Sequence, residues 1–301
     1  MTDTIMDATT FWELLDRRAA HSPDLPLLID ESGRSMTCGE VRDERFEGAG
    51  GTEIQMFVLR PPGHEAGEKR PLVHMIHGGP HGTFGDTWLW RWHAAAFAAR
   101  GFVVACVNFQ GSTSFGQDFA KRIQGAWGER PYEDVMRSTD HLIAEGLVDD
   151  GRMAITGGSY GGYLTAWIAS RTHRFQCAVN HAGVYDLTLQ YASDHTAAWH
   201  RATGGTPWDG QERVDRWDPA RHSEHLATPM LVVHGEKDYR VPVSQGLLCY
   251  GILKAKGIPA RLLYFEDENH WILKPQNSLR WYDEVLGWLD RFLAPKEGGD
   301  A

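Results

Sequence analysis

Residues 153–167 read Met153-Ala154-Ile155-Thr156-Gly157-Gly158-Ser159-Tyr160-Gly161-Gly162-Tyr163-Leu164-Thr165-Ala166-Trp167. The apolar run 153–156 predicts a strand, and 160–171 predicts a helix. Between them lies G-x-S-x-G at 157–161. A strand that turns this sharply into a helix forces the serine between them into a strained conformation. Small neighbours two residues away, Gly157 and Gly161, let the backbone bend that tightly. The turn lifts the Ser159 hydroxyl above the sheet. It also puts the Tyr160 N–H at a helix start, where the dipole favours developing negative charge.

Outward from this turn, strands and helices alternate. Strands are expected at 53–60, 72–77, 102–108, 153–156, 177–180, 229–234 and 261–265. Helices are expected at 88–100, 132–145, 160–171, 243–256 and 278–293. Near-continuous apolar strands in this rhythm indicate a mostly parallel sheet covered on both faces. Residues 182–228 break the rhythm and carry Tyr185, Tyr191, Trp199, Trp208 and Trp217. Two units are expected: an appendage at 1–48, and an α/β catalytic domain at 49–301 with an aromatic-rich insertion at 182–228.

A serine hydroxyl needs a general base, and the base needs an orienting carboxylate. With a G-x-S-x-G turn, the order along the chain is Ser, then Asp or Glu, then His. His234-Gly235-Glu236-Lys237-Asp238 follows the strand at 229–234. Glu266-Asp267-Glu268-Asn269-His270 follows the strand at 261–265. Asp238 and His270 therefore sit past the carboxyl ends of later strands, where open α/β sheets build their sites. Asp267 and Glu268 are rival carboxylates on the His270 loop and are expected to be solvated. The loop His77-Gly78-Gly79-Pro80 is similar to the HGGG loop of esterases. It offers the Gly79 N–H as a second oxyanion donor beside that of Tyr160. His77 is either a substrate-contacting side chain or a strand-end histidine, and Tyr160 is a further candidate for substrate contact. The pattern as a whole is that of the α/β-hydrolase fold, a mostly parallel central sheet with helices on both faces.

The chain has 301 residues, a formal net charge of −10 and 42% hydrophobic residues. Nucleic acid and anionic membranes favour basic surfaces, so neither is expected as a partner. No cofactor is expected either. There is no metal-ligand spacing, phosphate-cradling loop or dinucleotide fingerprint, and His77, His81 and His93 form no H-E-x-x-H. The four cysteines, Cys38, Cys106, Cys177 and Cys249, are far apart and are read as free thiols. The N-terminus lacks a basic region followed by a long apolar run, so a cytoplasmic location is expected.

Several motifs in order resemble the catalytic domain of the prolyl oligopeptidase family, in its acylaminoacyl-peptidase and dipeptidyl-peptidase-like branch. They are IHGGPHG at 76–82, NFQGSTSFGQDF at 108–119, WGERPYEDV at 127–135, ITGGSYGGYLTAW at 155–167, TPW at 206–208, TPMLVVHGEKDYRVP at 228–242 and ENHW at 268–271. The resemblance implies serine peptidase chemistry on short peptides. Ser159, Asp238 and His270 match its triad positions, and Gly79 and Tyr160 its oxyanion donors. Gln110 departs from the arginine usual in the N-x-R-G-S segment. Family members also carry a β-propeller before this domain, and about fifty residues precede the match here. Residues 10–44 resemble the opening of acyl-CoA synthetases, without their nucleotide-binding motifs. There Phe11, Leu14, Leu15 and Arg18 suggest an amphipathic helix that packs on the domain, mediates a homo-oligomer, or does neither.

With no propeller expected, the sequence favours an acyl-enzyme hydrolase of carboxylic esters and small amides, or of short peptides, with esters preferred. An acylaminoacyl-peptidase or aminopeptidase is the alternative. A non-catalytic binding protein on the same fold is a third reading.

Overall fold

The computed structural model describes residues 26–29, 35–37, 41–85, 91–196 and 199–295. Most of the stretch that resembles acyl-CoA synthetases lies outside these residues. From it come two short paired strands, β1 (Pro26–Ile29) and β2 (Ser35–Thr37), and the start of β3. The rest is built on one eight-stranded sheet. Its strands are β3 (Val41–Glu47), β4 (Glu53–Leu59), β5 (Arg70–Ile76), β6 (Val103–Asn108), β7 (Val148–Gly158), β8 (Cys177–His181), β9 (Met230–Gly235) and β10 (Ala260–Phe265). Their spatial order is β10-β9-β8-β7-β5-β6-β4-β3. From β10 to β6 every pair is parallel, and β4 and β3 add antiparallel at one end.

The expected α/β-hydrolase fold is therefore present. The strands β5, β6, β8 and β9 are buried on almost every residue, because helices cover both faces. These helices include α1 (Ala94–Ala98), α2 (Gln117–Lys121), α3 (Arg130–Ala144) and α4 (Tyr160–Ala169). Two longer ones follow late in the chain, α7 (Val243–Ala255) and α8 (Pro275–Leu293). All ten residues of α4 are buried, as its near-continuous apolar sequence requires. Two apolar clusters, one on each side of the sheet, form the core. One gathers Trp127, Tyr163, Trp167 and Leu253, the other Phe97, Trp281, Trp288 and Leu289.

The sheet begins earlier than the boundary expected at residue 48. Strand β3 pairs with β4 through seven matched positions, from Val41↔Leu59 to Glu47↔Glu53. Five of its seven residues are charged, so its sequence does not read as a strand; pairing on one side only makes this composition tolerable.

The stretch 182–228 holds two short helices, α5 (Trp199–Thr203) and α6 (Gln211–Asp215), and 3₁₀ turns at Leu189–Ala192 and Pro219–His225. Its aromatic residues mostly pack. Trp199 lies edge-on to Trp127 at 4.6 Å, and the Trp217 indole donates to Gly125 O. Trp208 is the exception, 74% exposed and edge-on to Tyr191.

Candidate active site

Ser159 follows β7 and stands at the N-cap position of α4 with φ 59° and ψ −120°. This left-handed φ is unusual for a residue with a Cβ and stores strain at the turn. Two contacts hold it there. The Ser159 N–H donates to His181 O at 2.9 Å, and the Ser159 carbonyl accepts the Tyr163 N–H at 3.0 Å. The turn presses on the neighbouring strand: a Cβ on Gly161 would lie 2.1 Å from Ile76 O. Only glycine fits there. Ser159 itself is half-buried.

Asp238 follows β9 and is 3% exposed. One carboxylate oxygen, Oδ1, accepts the Arg240 and Val241 N–H groups at 3.0 and 2.9 Å. The other, Oδ2, lies 2.7 Å from His270 Nδ1. Burial by itself would raise its pKa. Hydrogen bonds from His234 and His270, the His270 charge and the Val241 N–H outweigh burial and hold the carboxyl well below the usual carboxylate range. An ionised Asp238 favours the tautomer with the proton on His270 Nδ1, in which Nε2 can accept a proton.

His270 follows β10 on a loop that two contacts clamp. The Lys237 N–H donates to Glu268 O, and the Glu236 N–H to Phe265 O, both at 2.9 Å. Glu268 departs from the solvated position expected of it. It is 4% exposed, and its carboxylate accepts the Leu273 and Lys274 N–H groups at 2.9 Å and Asn277 Nδ2 at 2.8 Å. These donors lie at and just before the start of α8, so the carboxylate ties the lead-in of that helix to the loop behind His270. Asp267 is exposed, as expected, and pairs with Lys274.

Gly79, past the end of β5, has φ 45° and is exposed. Its neighbour Gly78 packs on the serine: a Cβ there would sit 3.2 Å from Ser159 Cβ. The loop bearing Gly79 thus borders the Ser159 turn, on the side where α4 begins with the Tyr160 N–H.

The two side chains expected at the substrate are occupied within the protein. The His77 ring is 8% exposed, stacks on Phe109 at 4.2 Å and meets Ser112 Oγ at 2.8 Å. Burial lowers its pKa to about 4. It therefore acts as a neutral strand-end histidine that steadies the 77–82 loop. The Tyr160 ring is buried, and its hydroxyl donates to Trp127 O at 2.6 Å. Contact through Tyr160 narrows to its N–H.

Three neighbours of the site were not singled out from sequence. His234 lies behind Asp238, with Nε2 3.4 Å from Oδ2. His181 stacks on Trp92, with ring centres 5.8 Å apart. Arg91 lies over the Trp271 ring at 4.7 Å. Each comes close only through the fold, and no local spacing announces it. Gln110, the departure from the usual arginine, bonds the buried Asp134 and Ala49 O, while Arg122 reaches Gln110 Oε1 at 3.1 Å.

The model of the prolyl oligopeptidase family matches residues 88–296. Dipeptidyl-peptidase 5 of Schizosaccharomyces pombe is 40% identical over 248 residues, 81% of this chain and 36% of that protein. The chain belongs to the prolyl oligopeptidase family. A second relative in it, dipeptidyl-peptidase 5 of Aspergillus fumigatus, is 37% identical over 88% of this chain and 37% of its own length. Solved structures of similar proteins agree with the fold. An acylaminoacyl peptidase of Pyrococcus horikoshii aligns with TM-score 0.78 and 27% identity, over 87% of this chain and 43% of that one. A puromycin-hydrolyzing peptidase of Mycobacterium tuberculosis aligns with TM-score 0.80 and 29% identity, over 91% and 42%. The chain thus spans little more than a third of the length of the curated relatives it matches. Among the described residues, no helix is long and apolar enough to cross a membrane.

Proposed function

We propose that this protein is a serine peptidase that cleaves short peptides through an acyl-enzyme, with Ser159 as nucleophile, His270 as general base and acid, and Asp238 as orienting carboxylate. The observation that carries the reading is the 2.7 Å contact of His270 Nδ1 with a buried, ionised Asp238, on loops past β9 and β10 of the same sheet whose strand β7 leads into a strained Ser159. Ser159 Oγ attacks the scissile carbonyl carbon as its proton passes to His270 Nε2. The carbonyl oxygen becomes an oxyanion held by the Gly79 and Tyr160 N–H groups. The C–N bond then breaks, and the Nε2 proton goes to the leaving amine. Water adds to the acyl-enzyme by the same route and releases the acid and free Ser159.

The relatives' names favour short peptides over the esters that the sequence by itself favours. The test is a substrate panel: dipeptidyl and acyl-aminoacyl anilides against p-nitrophenyl acyl esters, with Ser159→Ala as control. Expected are anilide turnover, its loss in Ser159→Ala, and a fluorophosphonate adduct on Ser159. Ester turnover without anilide turnover would return the reading to an esterase. Absence of both turnover and adduct would leave a non-catalytic binding protein.

A further inference from the structure

Arg91 stands beside the site with no acidic partner among the described residues. It is half-buried, and its guanidinium carbon lies 4.7 Å above the Trp271 ring. Trp271 follows His270 directly, and the two rings meet edge to face at 5.2 Å. Among the described residues no carboxylate lies within ion-pair distance of Arg91. Arg240, a second arginine near the site, is engaged by Asp194 at 2.7 Å. A guanidinium taken partly out of water without a counter-charge is costly, so its presence here calls for an anion that arrives from outside.

The backbone fixes this placement. Trp92 has φ 53°, a left-handed conformation in a residue with a bulky side chain. Its ring packs on His181 and Trp281, and its Nε1 would lie 3.3 Å from a Cβ on Gly158, the residue before Ser159. Strain of this kind persists only where packing over-determines it, and it clusters at functional sites. Arg91 is thereby anchored between the nucleophile turn and the His270 loop.

The side of the site follows from the chemistry. In the acyl-enzyme reading, on which this inference rests, His270 hands its proton to the departing amine. The leaving group therefore lies against His270, and Trp271 and Arg91 extend that side. Each extended residue reaches roughly 3.5 Å, so a charge this close to His270 meets groups one or two residues past the cut bond. The anion that a peptide carries there is its terminal carboxylate, which matches the guanidinium fork in a bidentate pair.

We propose that Arg91 binds the C-terminal carboxylate of the leaving group, so that peptides ending one or two residues beyond the scissile bond are preferred substrates. The test compares a dipeptidyl-alanine with its alaninamide counterpart, cut at the same bond, in the wild type, Arg91→Gln and Arg91→Lys. The readout is the ratio of kcat/KM for acid over amide, which is insensitive to any loss that both substrates share. A wild-type ratio of roughly ten or more is expected from a charged hydrogen-bonded pair. It should fall close to one in Arg91→Gln, chiefly through a higher KM for the acid, and be partly retained in Arg91→Lys. A wild-type ratio near one, or a ratio that Arg91→Gln leaves unchanged, overturns the proposal. Turnover of the amide reports separately on the peptidase reading. If the amide and an anilide are both inert, that reading fails and takes the carboxylate proposal with it.

Discussion

His234 stands behind Asp238, its Nε2 2.8 Å from Val241 O and 3.4 Å from Asp238 Oδ2. Both side chains are fully buried. The ring therefore ties the carboxylate to the loop that carries it. Two of the contacts to Asp238, from His234 and from the Val241 N–H, depend on that loop keeping its shape.

Replacing His234 with leucine removes the donor and strands the Val241 carbonyl. We expect a stability loss of about 2–4 kcal/mol, from one unpaired buried acceptor and imperfect packing. We also expect kcat to fall by roughly an order of magnitude as Asp238 loosens. Urea unfolding and steady-state kinetics on one preparation check both. Unchanged kcat at lowered stability would make His234 a packing residue only.

Glu268 makes a different prediction, because its carboxylate meets three donors around the start of α8. In Glu268→Gln the amide N–H₂ faces donors and cannot replace an oxygen. Both Glu268→Gln and Glu268→Ala should cost about 1–3 kcal/mol. The His270 loop should then wander, lowering kcat more than it raises KM. A loss confined to KM would contradict this role.

The pH dependence of stability should carry the mark of His74. Its ring is fully buried, and Nε2 lies 2.8 Å from Thr139 Oγ1. Burial, helped by the Arg174 charge, lowers its pKa to about 3. Unfolding returns it to about 6.5. The sign follows from linkage. A folded pKa below the unfolded one gives stability that is present above about 6.5 and lost as pH falls towards 3, where the unfolded chain binds the extra proton. Asp134 and Asp218 act in the opposite sense, since burial raises their carboxyl pKa values to about 6 and about 7. A difference measurement isolates the histidine. His74→Gln should reduce the slope of unfolding free energy against pH by about 1.4 kcal/mol per unit between pH 4.5 and 6. Urea titrations at several pH values in that window give the slope, and an identical slope in the variant would mean His74 is charged in the fold.

Two glycine-to-alanine changes should act in opposite directions. At Gly161 the new methyl collides with the backbone oxygen of Ile76 at 2.1 Å, and a Cβ fixed to the turn leaves neither side able to yield. That variant should lose more than about 4 kcal/mol or fail to fold. At Gly251, on an exposed face of α7, a Cβ meets nothing within 4 Å. There alanine should stabilise by about 0.5–1 kcal/mol through helix propensity. Thermal melts of the two proteins, side by side, decide it.

Much of this was legible in the chain. The run from Met153 to Trp167 announces its strand, turn and helix, because the apolar period and the glycines agree. The positions of Asp238 and His270 follow from strand ends, which local sequence marks well. What escaped was set by long-range contact. Strand β3 is hidden by its charges. Glu268 looks like a solvated acid until the chain folds back to present the Leu273 and Lys274 N–H groups and the Asn277 amide. His234, His181 and Arg91 acquire meaning only when β8, β9 and the 91–93 segment converge. The short helices of 182–228 have too few residues for a period to show.

The charged strand β3 has a consequence for the life of the protein outside its reaction. Among the described residues nothing pairs with its outer side, which leaves a row of free N–H and C=O groups at the end of the sheet. Such a row invites another chain to extend it. Arg42, Asp43, Glu44, Arg45 and Glu47 line that strand, and a chain docking there would have to match their charges or strip them of water. The end of the sheet is thereby made a poor template for aggregation, at high concentration and during folding alike.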